Sequence, residues 1–336
     1  MYVEDNKTTN HTKNQITVSR RDFATPGVLT QYVILALTWG SSFFFVSVGL
    51  EGLSPAQVVL ARLTIGAAAL IPIFLLTRQR LPRGAVVWCH LIVVGLLLCV
   101  IPFLLFAWAQ QHVPSIIASI INATTPLMTM IVAMLALPSE RPDRWKIGGL
   151  LVGFSGVLLV LTPWENFGSS SAPVGYIACL IATLSYGIAF VYMRRFVSPL
   201  GLPAISTATA QVGSAAAIML LISPWIAAQP VTLTPSVVTS MILLGVFGTG
   251  LAYVWNANIV SRWGATPAST VTYLTPIVGI TLGVVALGDR FGWNQPIGAA
   301  LVIIGILVSQ NRLNFLPKST RRAEQELAVR ADTYEI

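Results

Sequence analysis

From residue 28 to residue 311 the chain is a succession of apolar stretches, most of them about as long as a bilayer is thick, each closed by a short polar, proline-rich or arginine-rich break. A helical crossing needs roughly 20 mostly apolar residues for a hydrocarbon core of about 30 Å, and within it only helices and closed barrels satisfy their own backbone. Stretches of this kind run over 28–50, 56–77, 84–110, 116–137, 145–162, 174–194, 203–227, 237–260, 267–288 and 294–311. They predict an all-α integral membrane protein with ten transmembrane helices. Charged residues make up 10% of the chain and mean hydropathy is +0.76, against about 25% charged in soluble domains. Cys89, Cys99 and Cys179 lie inside apolar runs and read as small hydrophobes, not as a disulfide framework. No small-residue cleavage site follows the first run, so that run is expected to remain as the first helix.

Lys and Arg test the count, because cytoplasmic loops retain positive charge. With the N-terminus inside, all but Arg62 and Arg290 of the 20 Lys and Arg residues fall in the two tails and in the inside breaks marked by Arg78, Arg80 and Arg83, Arg141, Arg144 and Lys146, Arg194 and Arg195, and Arg262. The expected topology has both termini cytoplasmic. Trp88 and Trp145 then fall at inside ends, and Trp164, Trp225 and Trp293 at outside ends, as interfacial rings should. The net charge of +8 is thereby spent on orientation, and no basic face for nucleic acid is expected.

The chain also repeats itself. Residues 95–159 align without a gap on 245–309, a shift of 150, with "ASIINATTP" on "ASTVTYLTP" and "IGGLLV" on "IGAALV". Identity is low, but the residues kept are awkward ones for a membrane helix: Gly95 with Gly245, and the Thr-Pro pairs Thr125-Pro126 and Thr275-Pro276. Earlier in each half, "LTWGSSF" and "LSYGIAF" align at a shift of 147, with Trp39 on Tyr186 and Gly40 on Gly187. Each half thus holds five predicted helices, and an odd number turns the second half over in the membrane. Inverted repeats of this kind build secondary transporters, whose halves rock about a site near the midplane.

Ten helices in two five-helix repeats, "WGSSF" in the first helix, "LSPAQVVLARL" at 53–63, "NATTP", and the closing "YLTPIVGITLGVVALGDRFGWNQPIGAALVIIGILV" resemble the EamA domains of the drug/metabolite transporter superfamily. The resemblance covers about 28–311. It implies a bacterial plasma-membrane carrier, commonly an exporter of amino acids or other metabolites, with repeats at 28–162 and 174–311, an external linker at 163–173, and cytoplasmic tails at 1–27 and 312–336, the first expected to be disordered. One departure stands out. The acidic residue after "LG" in each repeat is Asp289 in the second half, but the first has Ser139 followed by Glu140.

Positions three or four apart share a helix face. In the first helix that stripe is Leu35, Trp39, Ser42, Phe43 and Val46, and in the sixth Ala182, Tyr186, Ala189 and Phe190. Two readings stand: close packing through glycine and serine with aromatics filling volume, or paired aromatic walls of a central cavity. A second stripe comprises Ser119, Asn122, Thr125 and Thr129, matched by Ser269, Thr272, Thr275 and Gly279. Proline frees a carbonyl there that a neighbour must satisfy, and Asn122 is the strongest candidate for bonding a solute. On the eighth helix Tyr253 joins Asn256 and Asn258, of which only one asparagine can face a shared cavity. The candidate solute-binding set is therefore Trp39, Ser42, Phe43, Asn122, Tyr186, Phe190, Tyr253, Asn256 and Thr272.

Arg62 is the one charge expected inside the membrane, about 7 Å outward of its helix midpoint at roughly 1.5 Å per residue. An ionisable group there is a functional hypothesis by default. Its two readings are structural, capping carbonyls or pairing with Glu51, and functional, binding a solute carboxylate or phosphate. No midmembrane carboxylate is present for a proton or sodium relay, and His90 and His112 sit at opposite helix ends. No cofactor or metal is expected. The partners expected are a small-molecule solute and the lipid bilayer, with a homodimer left open. A membrane enzyme would need reactive groups gathered at one level, which the sequence lacks. A passive channel is the closer rival to a moving carrier.

Overall fold

The computed structural model describes residues 26–138, 142–162, 172–263, 271–289 and 292–309, and among them all regular structure is helical. Helices α1 (Pro26–Leu50) and α2 (Pro55–Leu76) are joined by a tight turn. Helix α3 (Ala85–Ala109) contains a π segment at Leu96–Val100, α4 (Ser115–Ala136) is broken at Ala123 and Thr124, and α5 is Arg144–Leu161. Helix α6 begins at Ala172–Tyr192 and continues as a π segment, Met193–Val197, and a 3₁₀ turn, Ser198–Leu200. Helix α7 is Ala204–Ile226, and α8 joins Pro235–Gly245, a π segment Val246–Leu251, and Ala252–Trp263. Helices α9 (Val271–Leu287) and α10 (Asn294–Ser309) close the described chain. Eight of these are long and apolar enough to cross a membrane, while α9 and α10 are shorter apolar helices. Leu76, Leu135 and Val285 are among many large apolar side chains left exposed, an arrangement that lipid, not water, stabilises.

The π segments at Leu96–Val100 and Val246–Leu251 recur at the 150-residue shift seen in the sequence. Packing recurs too. Helix α1 lies on α9 and α8, and its counterpart α6 lies on α4 and α3; α2 packs on α7, and α5 on α10. Exchanging first-half helices for second-half ones reproduces these pairings. Glycines allow the closest approaches. A Cβ on Gly40 would fall 2.5 Å from the Cβ of Val278, and one on Gly187 would fall 2.9 Å from the backbone of Met128, the residue 150 positions before Val278. The close-packing reading of "WGSSF" therefore holds for its glycine.

The Thr-Pro pairs show a local device that the sequence reading assigned to neighbouring helices. Pro126 and Pro276 lack the N–H that would bond the carbonyls of Asn122 and Thr272 four residues earlier. In each case the preceding threonine supplies the donor: Thr125 Oγ1 donates to the Asn122 carbonyl at 2.7 Å, and Thr275 Oγ1 to the Thr272 carbonyl at 2.9 Å. The carbonyl freed by each proline is thus bonded by the threonine beside it, although α4 stays broken at Ala123 and Thr124.

Two polar clamps tie the halves together at helix ends. Ser54 and Gln57, both within the "LSPAQ" block, form a capping box on α2. The Gln57 amide also donates across to the carbonyls of Ala227 (3.0 Å) and Gln229 (2.7 Å), beside a bond from Thr232 N–H to the Gly52 carbonyl. At the end of α9, Gly288 takes a left-handed φ of 69° and the Asp289 N–H returns to the Gly283 carbonyl, so a glycine in the left-handed region ends the helix. The Asp289 carboxylate then accepts from Ser115 Oγ on α4 at 3.1 Å. Ser139, Glu140, Arg141, Arg290, Trp164 and Ser269, the linker at 163–171 and both tails lie outside the described residues.

Candidate functional site

Between the two sets of helices lies a cavity of about 530 Å³, within the range of small-molecule sites. Helix α1 contributes Trp39, Ser42, Phe43 and Val46, α4 contributes Asn122 and Thr125, and α6 contributes Tyr186 and Phe190. From α8 come Tyr253 and Asn256, from α9 Thr272 and Thr275, and from α2 the guanidinium of Arg62. All nine candidate residues and Arg62 therefore line one space. The remaining described stripe residues do not. Leu35, Ala182 and Ala189 are fully buried in helix packing, and Ser119 packs against Gly279 and reaches the Thr275 carbonyl at 3.5 Å. Asn258 donates to Gln31 on α1 at 2.6 Å, so of the two asparagines on α8 only Asn256 lines the cavity.

Aromatic rings form a connected wall. Phe106 of α3 meets Phe43 edge to face with centroids 5.4 Å apart, and stacks on Tyr186 at 6.2 Å. One ring thus joins the α1 and α6 walls within ordinary aromatic pairing distance. The cavity reaches the surface beside the connection from α6 to α7, where the lining residues Ser198 and Ala204 are exposed and Phe190 is 45% exposed. Toward the opposite end its lining includes Val46 and Gln110, with Ser47 Oγ donating to the Gln110 side chain at 2.9 Å. The Gln57 clamp lies beyond that end.

Arg62 is 9% exposed. Its Nε–H donates to Thr249 Oγ1 at 2.9 Å, Nη2 reaches the Gly248 carbonyl at 3.5 Å, and its carbon Cζ sits 3.6 Å above the centre of the Phe103 ring. Both partners belong to the π segment of α8, where Thr249 also bonds the Leu244 carbonyl five residues back. Of these contacts the shorter is to a hydroxyl, and one backbone carbonyl, that of Gly248, lies at 3.5 Å. Among the described residues Arg62 makes no ion pair, and Glu51 is exposed in the α1–α2 turn.

Several lining residues escaped the sequence reading: Phe103, Phe106, Gln110 and Gln211. Gln211 is the counterpart of Arg62. A Cβ on Gly245 would meet Ile65 and the Arg62 carbonyl, and one on Gly95 would meet Ser214 and the Gln211 carbonyl. The two glycines are 150 apart, but Arg62 and Gln211 are 149 apart, so the repeat slips by one residue in this helix. Aligning "LARLTIGAA" on "TAQVGSAAA" at that shift would have found it. Among the described residues no three His, Cys, Asp or Glu side chains converge as metal ligands would.

Comparison with known proteins matches this architecture to transporters. The model of the EamA-like transporter family matches residues 27–162 and again 173–310. An uncharacterized inner membrane transporter, YedA, of Escherichia coli (strain K12) is 25% identical over 276 residues, 82% of this chain and 87% of its own. A probable amino-acid metabolite efflux pump of the same strain is 24% identical over 301 residues, 87% of this chain and 95% of its own. A solved crystal structure 21% identical in sequence covers 85% of this chain and 98% of its own at a TM-score of 0.62, a likeness of fold.

Proposed function

The chain belongs to the EamA-like transporter family and is a multi-pass membrane protein; from that premise we propose that it is a plasma-membrane carrier exporting small amphipathic metabolites, amino acids or related solutes, by alternating access. The observation that carries this reading is a cavity lined by side chains from both halves of the chain. Helices that repeat in order, in their π segments and in their packing partners are the material of a rocking mechanism, and five crossings per half would make the repeats inverted with both termini cytoplasmic. The aromatic wall suits an apolar body, while Arg62, Asn122, Asn256 and Thr272 offer polar contacts. Export of amino-acid metabolites is supported by the printed name of the efflux-pump relative. A cavity that reaches the surface beside Ser198 and Ala204, and is followed at its other end by the Gln57 clamp, fits a one-sided carrier state better than an open channel.

The test is reconstitution of the full chain into liposomes with radiolabelled amino acids and their carboxylate derivatives, with and without a pH gradient. Saturable flux above that of empty vesicles for at least one of them is expected. Flux at the empty-vesicle level for all of them would remove the assignment, and flux unaffected by the gradient would exclude proton coupling.

A further inference from the structure

Among the described residues Arg62 is the only charged side chain that lines the cavity, and neither half contributes an aspartate or glutamate to it. Its guanidinium carries five N–H donors, of which two are engaged among the described residues, one of them at 3.5 Å. The partners, a hydroxyl, a carbonyl and the Phe103 ring, carry no full charge. On the other side of the repeat Gln211 stands where Arg62 would, so the second half supplies neither a second cation nor a balancing anion. Gln110, also in the lining, has a buried amide nitrogen with no partner among the described residues.

We infer that the cavity selects organic monoanions, a carboxylate on a flat apolar body, over zwitterions with the same body. This rests on the carrier reading above and narrows its solute class. A carboxylate docked on the open N–H groups of Arg62 cancels the buried charge and forms the paired geometry that guanidinium favours. A zwitterionic amino acid brings an ammonium group as well and leaves one positive charge buried without a partner, which low-dielectric surroundings penalise heavily. Asn122 and Asn256 can bond an ammonium but cannot neutralise it. A simple amine adds a second positive charge to the first. The rings of Phe43, Phe106 and Tyr186 are indifferent to this difference and set affinity for the body common to all three. Deaminated or N-acylated aromatic acids are therefore the preferred chemical class.

A matched series separates charge from shape: 3-phenylpropionate, phenylalanine and phenethylamine share a phenyl ring on a short chain. Binding to the full-length protein in detergent is read by quenching of tryptophan fluorescence, and flux by counterflow in proteoliposomes. The acid is expected to bind at least tenfold tighter than phenylalanine, with phenethylamine weakest. Arg62→Gln should bring the three within about threefold of one another, and Arg62→Lys, which keeps the charge, should preserve their order. Phenylalanine or phenethylamine binding as tightly as the acid, no binding by any of the three at millimolar concentration, or an order unchanged in folded Arg62→Gln would overturn the inference. If Arg62→Gln does not fold, the wild-type ranking and the Arg62→Lys order decide. The expected order without counterflow would leave the charge selection standing and remove the carrier. Counterflow that favours phenylalanine over the acid would keep the carrier and remove the selection.

Discussion

Replacing Thr125 by valine removes one hydroxyl and almost no volume, and it tests the Thr-Pro device directly. Thr125 is 7% exposed, and its Oγ1 donates at 2.7 Å to the carbonyl of Asn122, the last residue of the first α4 segment. Pro126 cannot supply the N–H that would otherwise sit four residues on. A fully buried carbonyl stripped of its donor costs about 1–3 kcal/mol in soluble proteins, an upper bound for half-buried Asn122, and hydrogen bonds inside membrane bundles average nearer 0.6 kcal/mol, with a maximum of about 1.7. A loss of about 1 kcal/mol is expected, roughly a fivefold shift in the unfolding equilibrium. Pro126→Ala restores the missing N–H, so the double variant Thr125→Val with Pro126→Ala should recover part of that loss, and the double-mutant cycle should show a coupling of the same size. Equilibrium unfolding in mixed micelles with rising dodecyl sulfate, followed by circular dichroism, measures all four proteins. Unchanged stability in Thr125→Val together with zero coupling would refute the device.

Other perturbations reach the remaining parts of the structure. Gly187→Val should destabilise by about 1–3 kcal/mol through overpacking, because a Cβ there lies 2.9 Å from the Met128 and Thr129 backbone; a thermal melt equal to wild type would contradict the close approach. Gln57→Ala removes two donor bonds to α7 and its following loop, and should raise labelling of a cysteine placed at Thr232 by a membrane-impermeant maleimide; unchanged labelling would show that the clamp does not hold that end. Trp39→Ala and Tyr186→Ala should each raise the KM for a carried solute about tenfold, equivalent to about 1.4 kcal/mol of lost aromatic contact. Unchanged apparent affinity in both would assign these rings to packing alone.

Much of this architecture is written in the sequence because membranes impose length and satisfaction rules that soluble folds lack. Apolar runs and alternating arginines outline the helices, and repeated glycines and Thr-Pro pairs reveal the halves. Trp39, Tyr186 and Asn122 are legible as cavity residues because polar or bulky groups in apolar helices need a reason to be there. The π segments are not legible. "LLLCV" is apolar on every side, so its residues carry no periodicity that would separate a π turn from an α turn. Gln211 was hidden by the one-residue slip of the repeat, and Gln110 by its place at a helix end, where a polar residue reads as interfacial. The internal rescue of the proline carbonyls needed coordinates, since "TTP" places two hydroxyls within reach and only geometry chooses between them.

The central claim is that the cavity shared by the two halves carries solute by exposing it to one side at a time. Trans-stimulation tests it most directly: proteoliposomes preloaded with unlabelled 3-phenylpropionate are compared with empty ones for the initial entry of the labelled acid. Preloading should accelerate entry severalfold, entry should saturate, and Trp39→Ala with Tyr186→Ala should abolish the acceleration. Entry that rises linearly with concentration and ignores the preload would contradict the account.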